Sequence, residues 1–122
     1  MTASYQDATV RFKALAHPVR LQILDMLRNG EVCVCHMEIA LGKRQAYISQ
    51  QLMVLRDAGL VESRKDGLSV FYRLVDDVVL DLLEATLGPA DDNAPEVLNT
   101  CPCPHCAEAV SDVTGELTHV EH

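Results

Sequence analysis

The chain has 122 residues, 48% of them apolar, which is enough for one core and little more. No apolar run reaches the roughly 18 residues of a membrane span, and the N-terminus MTASYQDATVRFKALAHP lacks a secretory signal's basic end and apolar centre. A cytoplasmic protein with no membrane partner is therefore expected. The net charge of −8 looks unfavourable for nucleic acid until it is divided along the chain. Residues 1–75 hold all ten Lys and Arg against seven Asp and Glu (10 − 7 = +3), whereas residues 76–122 hold eleven acids and no base (−11). A basic front with an acidic tail fits a nucleic-acid-facing domain with an appended segment, although charge alone serves an ordinary solvated surface equally well.

Ala8, Phe12 and Leu15 fall at helical spacing over Tyr5–Leu15, and the helix must end before Pro18. Pro18 suits the first turn of a second helix, PVRLQILDMLRNG, which places Val19, Ile23, Leu24 and Leu27 on one face and stops at Gly30. A short helix ending near Leu41-Gly42 follows. Next, RQAYISQQLMVLRDAGL puts Ile48, Leu52 and Leu55 at i, i+4 and i+7, with Gly59 as its stop. Two such helices joined through a glycine-bearing turn form a helix-turn-helix.

Beyond Gly59 the period changes from helical to extended. LVESRKDGLSVFYRLV contains two extended pieces around an Arg64-Lys-Asp-Gly67 turn, with Val70 and Tyr72 on one side and Phe71 and Leu74 largely on the other. That hairpin is a β-wing. DDVVLDLLEATLG then resumes a helix, capped by Asp76 or Asp77 and closed by Gly88-Pro89. Seven of the ten residues Val78–Leu87 are apolar, too many for one stripe, so a partner subunit is expected to cover part of this helix. The fold class is thus mostly α with a β-hairpin wing, a winged helix-turn-helix with a second subunit expected on its last helix. The chain divides into a DNA-binding and dimerisation domain over 1–88, an acidic linker over 89–100 and a Cys-rich tail over 101–122.

With Ile48, Leu52 and Leu55 buried, Lys43, Arg44, Gln45, Tyr47, Ser49 and Gln50 are left for a major groove. Glutamine pairs bidentately with adenine, and Lys43 and Arg44 suit phosphates. Arg64 and Lys65 in the wing would reach the adjoining backbone. A merely polar helix surface is the simpler alternative.

The stretches LAHPVRLQILDMLRNGE, VCVCHM, ALG, ISQQLMVLRDAGLVESRKDG and VFYRL, in that order, resemble the ArsR/SmtB family of winged-helix transcriptional repressors. The resemblance runs from about Phe12 to Leu87. It implies a homodimer, joined through the first and last helices, that binds a near-palindromic double-stranded operator and releases it when a thiophilic metal or metalloid arrives. No organic cofactor is implied.

Five cysteines in a reducing compartment point to metal or redox chemistry rather than structural disulfides. Cys33 and Cys35, one residue apart, diverge on a regular helix but share a face in an extended segment. For both to hold one ion, the short helix should begin at or after Cys35. A helix N-terminus there would favour thiolate. The opposing reading is two small buried hydrophobes. The resemblance implies a metal site built on this Cys-Val-Cys pair with thiolates from elsewhere, but a third cysteine just downstream is replaced here by His36 and Met37. Cys101, Cys103 and Cys106 of CPCPHC are the expected further donors, with His36 and His105 as secondary candidates. Soft ligands admit As(III), Sb(III), Cd(II), Pb(II) or Zn(II) and exclude Mg and Ca. The last helix has no histidine, which argues against an Asp/His zinc site there.

Two rivals remain open from the residues. One is a regulator of the same fold that senses oxidants or reactive sulfur through its thiols. The other is a metal buffer or oxidoreductase, against which stand the wing and the recognition helix. No nucleophile-base constellation or phosphate-cradling loop appears, so an enzyme is not expected.

Overall fold

The computed structural model describes residues 4–90. Five helices and three strands follow in the order α1 (Tyr5–Leu15), α2 (Pro18–Leu27), β1 (Val32–Cys33), α3 (Val34–Leu41), α4 (Gln45–Asp57), β2 (Val61–Asp66), β3 (Ser69–Leu74) and α5 (Asp77–Leu87). The expected linker from 91 onward and the Cys-rich tail lie outside the described residues.

Local chemistry explains most of the boundaries. Ser4 caps α1 by accepting from the Asp7 N–H, and Asp76 caps α5 by accepting from the Val79 N–H at 3.0 Å. Asp76, not Asp77, therefore takes the capping role. In α2, Pro18 occupies the first turn, where its missing N–H costs nothing, and His17 caps through Nδ1 to the Val19 N–H at 3.1 Å. Gly42 ends α3 at φ +63°, a left-handed conformation that glycine adopts without a Cβ penalty, and this turns the chain sharply into α4.

The core lies where α2, α3 and α4 meet the sheet. Ile23, Leu24, Met37, Ile48, Leu52, Leu55 and Val79 have no measurable exposure, and Leu60 and Leu83 are almost as deeply buried. The apolar faces expected for α2 and α4 are the ones buried. By ordinary bookkeeping each such side chain contributes about 1.5–3 kcal/mol of transfer free energy.

The extended region differs from expectation in three respects. A third strand, β1, joins the hairpin, giving an antiparallel sheet in the order β1-β3-β2, with Val32 opposite Tyr72 and Cys33 opposite Phe71. Two residues are too few to register as alternation, so β1 has no period of its own in the sequence. The hairpin turn is also tighter than the four residues Arg64–Gly67: strand pairing continues to Asp66 opposite Ser69, leaving only Gly67-Leu68 as the loop. Gly67 at φ +61° in the first central position matches the two-residue turns that follow strand twist. Finally, Leu74 packs against the core with Val70 and Tyr72 instead of opposing them, as a period of two requires.

Candidate nucleic-acid interface and thiol site

Helices α3 and α4 form the helix-turn-helix, and the fixed face of α4 sets what its other face offers. Arg44 and Gln45 at its start, together with Ser49 and Gln50, are exposed, as is Lys43 in the turn. Among the five helices, α4 alone has no side-chain cap; its Arg44 N-cap residue is extended and makes no capping bond. Its first-turn N–H groups thus receive no acceptor from the N-cap side chain.

Tyr47 is placed differently from its neighbours. It is half-buried, packed on the core, with its hydroxyl 3.5 Å from His17 Nε2 and the Lys43 ammonium 6.0 Å from its ring centre. Because His17 Nδ1 accepts from Val19, the ring proton lies on Nε2 and points to the Tyr47 oxygen. Arg20, which no sequence pattern singles out, makes a second strut. Its guanidinium donates to the Ala14 and Lys13 carbonyls at 2.6 and 3.1 Å and to Gln51 of α4 at 2.9 Å, tying the end of α1 to the recognition helix. An arginine within an amphipathic pattern carries no sequence signal for such a role.

In the wing, Lys65 is exposed one residue inside the end of β2, and Leu68 stands fully exposed at the tip. Arg64 lies within β2 and is engaged by its own protein. Its Nε and terminal nitrogen donate to both carboxylate oxygens of Glu31 at 2.7–3.0 Å, and its guanidinium covers the Phe71 ring at 4.6 Å. The Arg64 hydrogen bond holds the Glu31 carboxyl below its ordinary value, and Glu31 in turn raises the guanidinium. Arg64 therefore braces the wing against the segment entering β1, and Lys65 is the wing cation without such a clamp among the described residues.

That entering segment carries the cysteines. Helix α3 begins at Val34, one residue before the start expected for a convergent pair, and Cys35 lies in its first turn. The sulfurs nevertheless meet, and the structure joins Cys33 and Cys35 as a disulfide with Cα atoms 5.4 Å apart. One extended residue suffices: Cys33, at φ −82° and ψ 155°, is the N-cap of α3, and its sulfur turns over the helix mouth to accept from the His36 N–H at 3.2 Å. Cys33 is 1% exposed, Cys35 is half-buried and His36 is buried, which makes His36 part of the packed helix.

Among the described residues, no group of three or more His, Cys, Asp or Glu comes together as a metal site. The structure brings the two sulfurs together, and with both thiols reduced that placement fits part of a soft-ion site. Cys101, Cys103, Cys106 and His105 lie outside the described residues.

At the flank, Arg11 donates to Asp76 at 3.1 and 3.2 Å and joins α1 to α5. Phe12 and Leu15 of α1, Leu21 of α2, and Leu82, Leu83 and Leu87 of α5 line an apolar groove of about 280 Å³. Phe12 is 58% exposed and Leu87 50%. No helix among the described residues is long and apolar enough to cross a membrane.

The order of helices, a glycine-turned helix-turn-helix and a hairpin wing joined by β1 define a winged helix-turn-helix protein. Residues 17–63 match the family described as bacterial regulatory protein, arsR family. The biofilm growth-associated repressor of Agrobacterium fabrum is 43% identical over 79 residues, spanning 65% of this chain and 68% of that one. Among solved structures, the homodimeric winged helix-turn-helix DNA-binding domain of a possible ArsR-family regulator from Mycobacterium bovis superposes with a TM-score of 0.62 at 35% identity, covering 67% of this chain and 76% of that one. The AntR antimony-specific transcriptional repressor gives a TM-score of 0.63 at 34% identity over 71% and 79% of the two chains. The chain belongs to the ArsR family of transcriptional regulators, and its relatives are regulators rather than enzymes.

Proposed function

We propose that the protein is a cytoplasmic, metal- or metalloid-responsive repressor that binds double-stranded operator DNA as a homodimer and releases it when Cys33 and Cys35 take up a thiophilic ion. The observation that carries this reading is the position of the sulfur pair, at the mouth of the first helix of the helix-turn-helix. The antimony-specific relative supports a soft inducer, and the homodimeric relative supports the assembly.

In this reading the uncapped start of α4 and Lys43, Arg44 and Lys65 meet phosphates, while Gln45, Ser49 and Gln50 face base edges. The dimer axis passes beside α1 and α5, whose apolar groove the second subunit covers, so that two α4 helices address half-sites about one helical turn or a multiple apart. Cys33 and Cys35 supply two thiolates, and Cys101, Cys103 and Cys106 supply the remainder, with His36 and His105 as secondary donors. The inducer class is As(III)/Sb(III) or Cd(II)/Pb(II), with Zn(II) admissible; the bound ion supplies a bond network that draws its ligands together. Any displacement of the Cys33–Cys35 segment moves α3, and Gly42 passes it directly to α4. Coupling of this kind typically amounts to about 1–3 kcal/mol, or roughly 5–150-fold weaker operator binding.

Fluorescence anisotropy with reduced protein and operator DNA tests the reading. As(III), Sb(III), Cd(II) or Pb(II) should weaken binding in wild type and not in Cys33→Ser, and indifference to all four ions would end the inducer assignment. Truncation after Thr100 should reduce thiolate-to-metal absorption; unchanged binding would remove the tail from the donor set. A second reading, thiol-based sensing of oxidants or reactive sulfur, is favoured by the pairing of Cys33 with Cys35. It requires metal-free, oxidation-dependent release that a reductant reverses.

A further inference from the structure

The cleft between α3, α4 and the wing holds about 390 Å³. Cys35 and Glu38 line it from α3, Gln45 and Ser49 from α4, and Leu68 and Tyr72 from the wing. Cys33 does not line it. The two sulfurs are thus adjacent but unequal: Cys35 is half-buried and faces a space large enough for small molecules, whereas Cys33 is 1% exposed beneath the helix mouth. Their Cα separation of 5.4 Å lies within the range that a disulfide spans without backbone movement.

We propose that this pair is a hydroperoxide-reactive dithiol in which Cys35 is attacked through the cleft and Cys33 is the resolving thiol. The proposal rests on the reading of the pair as the signal-receiving site and assigns a separate role to each sulfur. The Cys35 thiolate attacks one oxygen of a hydroperoxide ROOH. The O–O bond breaks, ROH leaves after taking up a proton, and Cys35 becomes a sulfenic acid. The Cys33 sulfur then loses its proton and attacks the Cys35 sulfur. The S–O bond breaks, and the oxygen leaves as water with that proton. Two thiols and ROOH become one disulfide, ROH and H2O; the two electrons lost by sulfur are gained by the peroxide oxygens. The disulfide withholds both thiolates from a soft ion, so oxidation and metal binding exclude one another.

Gln45 and Ser49 lie on the recognition face, and Leu68 is the wing tip, so the walls of the cleft belong to the elements that meet operator. Bound DNA therefore closes the route to Cys35.

The test uses full-length, reduced, metal-stripped protein and hydrogen peroxide. Trypsin cleaving after Arg28 and Lys43 isolates Cys33 and Cys35 on one peptide without the other three cysteines. Wild type should yield this peptide lighter by two hydrogens. Cys33→Ser, whose hydroxyl can retain the helix cap, should stop at a sulfenic acid on Cys35 that a dimedone probe captures. Cys35→Ser should leave Cys33 labelled at least about tenfold more slowly, since reactivity follows access. Limited iodoacetamide treatment of wild type provides the same ordering without substitution, Cys35 before Cys33. Operator, with binding confirmed by anisotropy in the same sample, should slow the modification of Cys35 by about tenfold or more. Equal labelling of the two sulfurs, disulfides to Cys101, Cys103 or Cys106 in place of the internal one, or a rate indifferent to bound operator would overturn the proposal. Metal is absent throughout, so an unreactive pair leaves the metal-inducer reading standing, and failed metal induction leaves this chemistry standing.

Discussion

Helices α4 and α1 are of similar length, 13 and 11 residues, but they settle their apolar side chains in opposite ways. In α4, Ile48, Leu52 and Leu55 reach zero exposure inside the subunit. In α1 only Ala14 is buried, while Phe12, Val10 and Tyr5 stand out at 58%, 43% and 96%. A recognition helix must hold its orientation whether or not a partner is present, and packing against α2, α3 and the sheet provides that within one chain. The flank built from α1 and α5 is incomplete, tied by the Arg11–Asp76 pair but leaving an apolar groove open. Stability of the reading head and stability of the assembly should therefore respond to different residues.

The largest effect is expected from Leu52→Ala, which opens a cavity at a site with no exposure and should cost about 2–5 kcal/mol in denaturant unfolding. Phe12→Asp together with Leu87→Asp should leave the chain folded yet shift sedimentation to the monomer, weakening association by at least about 2 kcal/mol. A double variant that remains dimeric would break the comparison. Within the head, Gln50→Ala should lose about 1–3 kcal/mol of operator affinity and relax preference at one base position, whereas Lys43→Ala should weaken all sequences alike and lower the salt slope by about one.

The smallest effect is expected at Glu31. Its carboxyl is held below the ordinary 4.5 by the Arg64 hydrogen bond, so the stabilisation is present above that value and lost as pH falls through the depressed one. Wild type and Glu31→Gln should accordingly differ in melting temperature at neutral pH and converge in acid. No difference at neutral pH would show that Arg64 braces the wing by stacking on Phe71 alone, and a difference undiminished in acid would show that the Glu31 contribution does not depend on its charge.

The parts of the fold that were legible share one property, a period long enough to read. The faces of α2 and α4 repeat over three turns, and the caps and stops at Pro18, Gly42, Asp76 and Gly88 are local chemistry. Strand β1 was not legible because two residues have no period, and its partner Phe71 lies 38 positions further along. The exposed residues of α4 could be inferred by subtraction from its buried face, but Tyr47 could not, since its placement depends on His17 from another helix. Arg64 shows the same limit: by sequence it is a wing cation, and only folding brings Glu31 beneath it.

The sequence by itself determined the helix-turn-helix, the hairpin, the basic front and the presence of a Cys-x-Cys pair, because each is set by neighbours within a few residues. It also left an apolar excess on the last helix that asks for a partner. Only the tertiary structure decided that β1 pairs with β3 beside the cysteines, that Cys33 caps α3 while Cys35 faces a cleft, and that Arg64 is occupied. The pairing of β1, the cleft beside Cys35 and the engagement of Arg64 depend on contacts between residues distant in the chain, whose energies no local pattern encodes; the Cys33 cap spans only three residues, but it forms where β1 delivers Cys33 to the helix mouth.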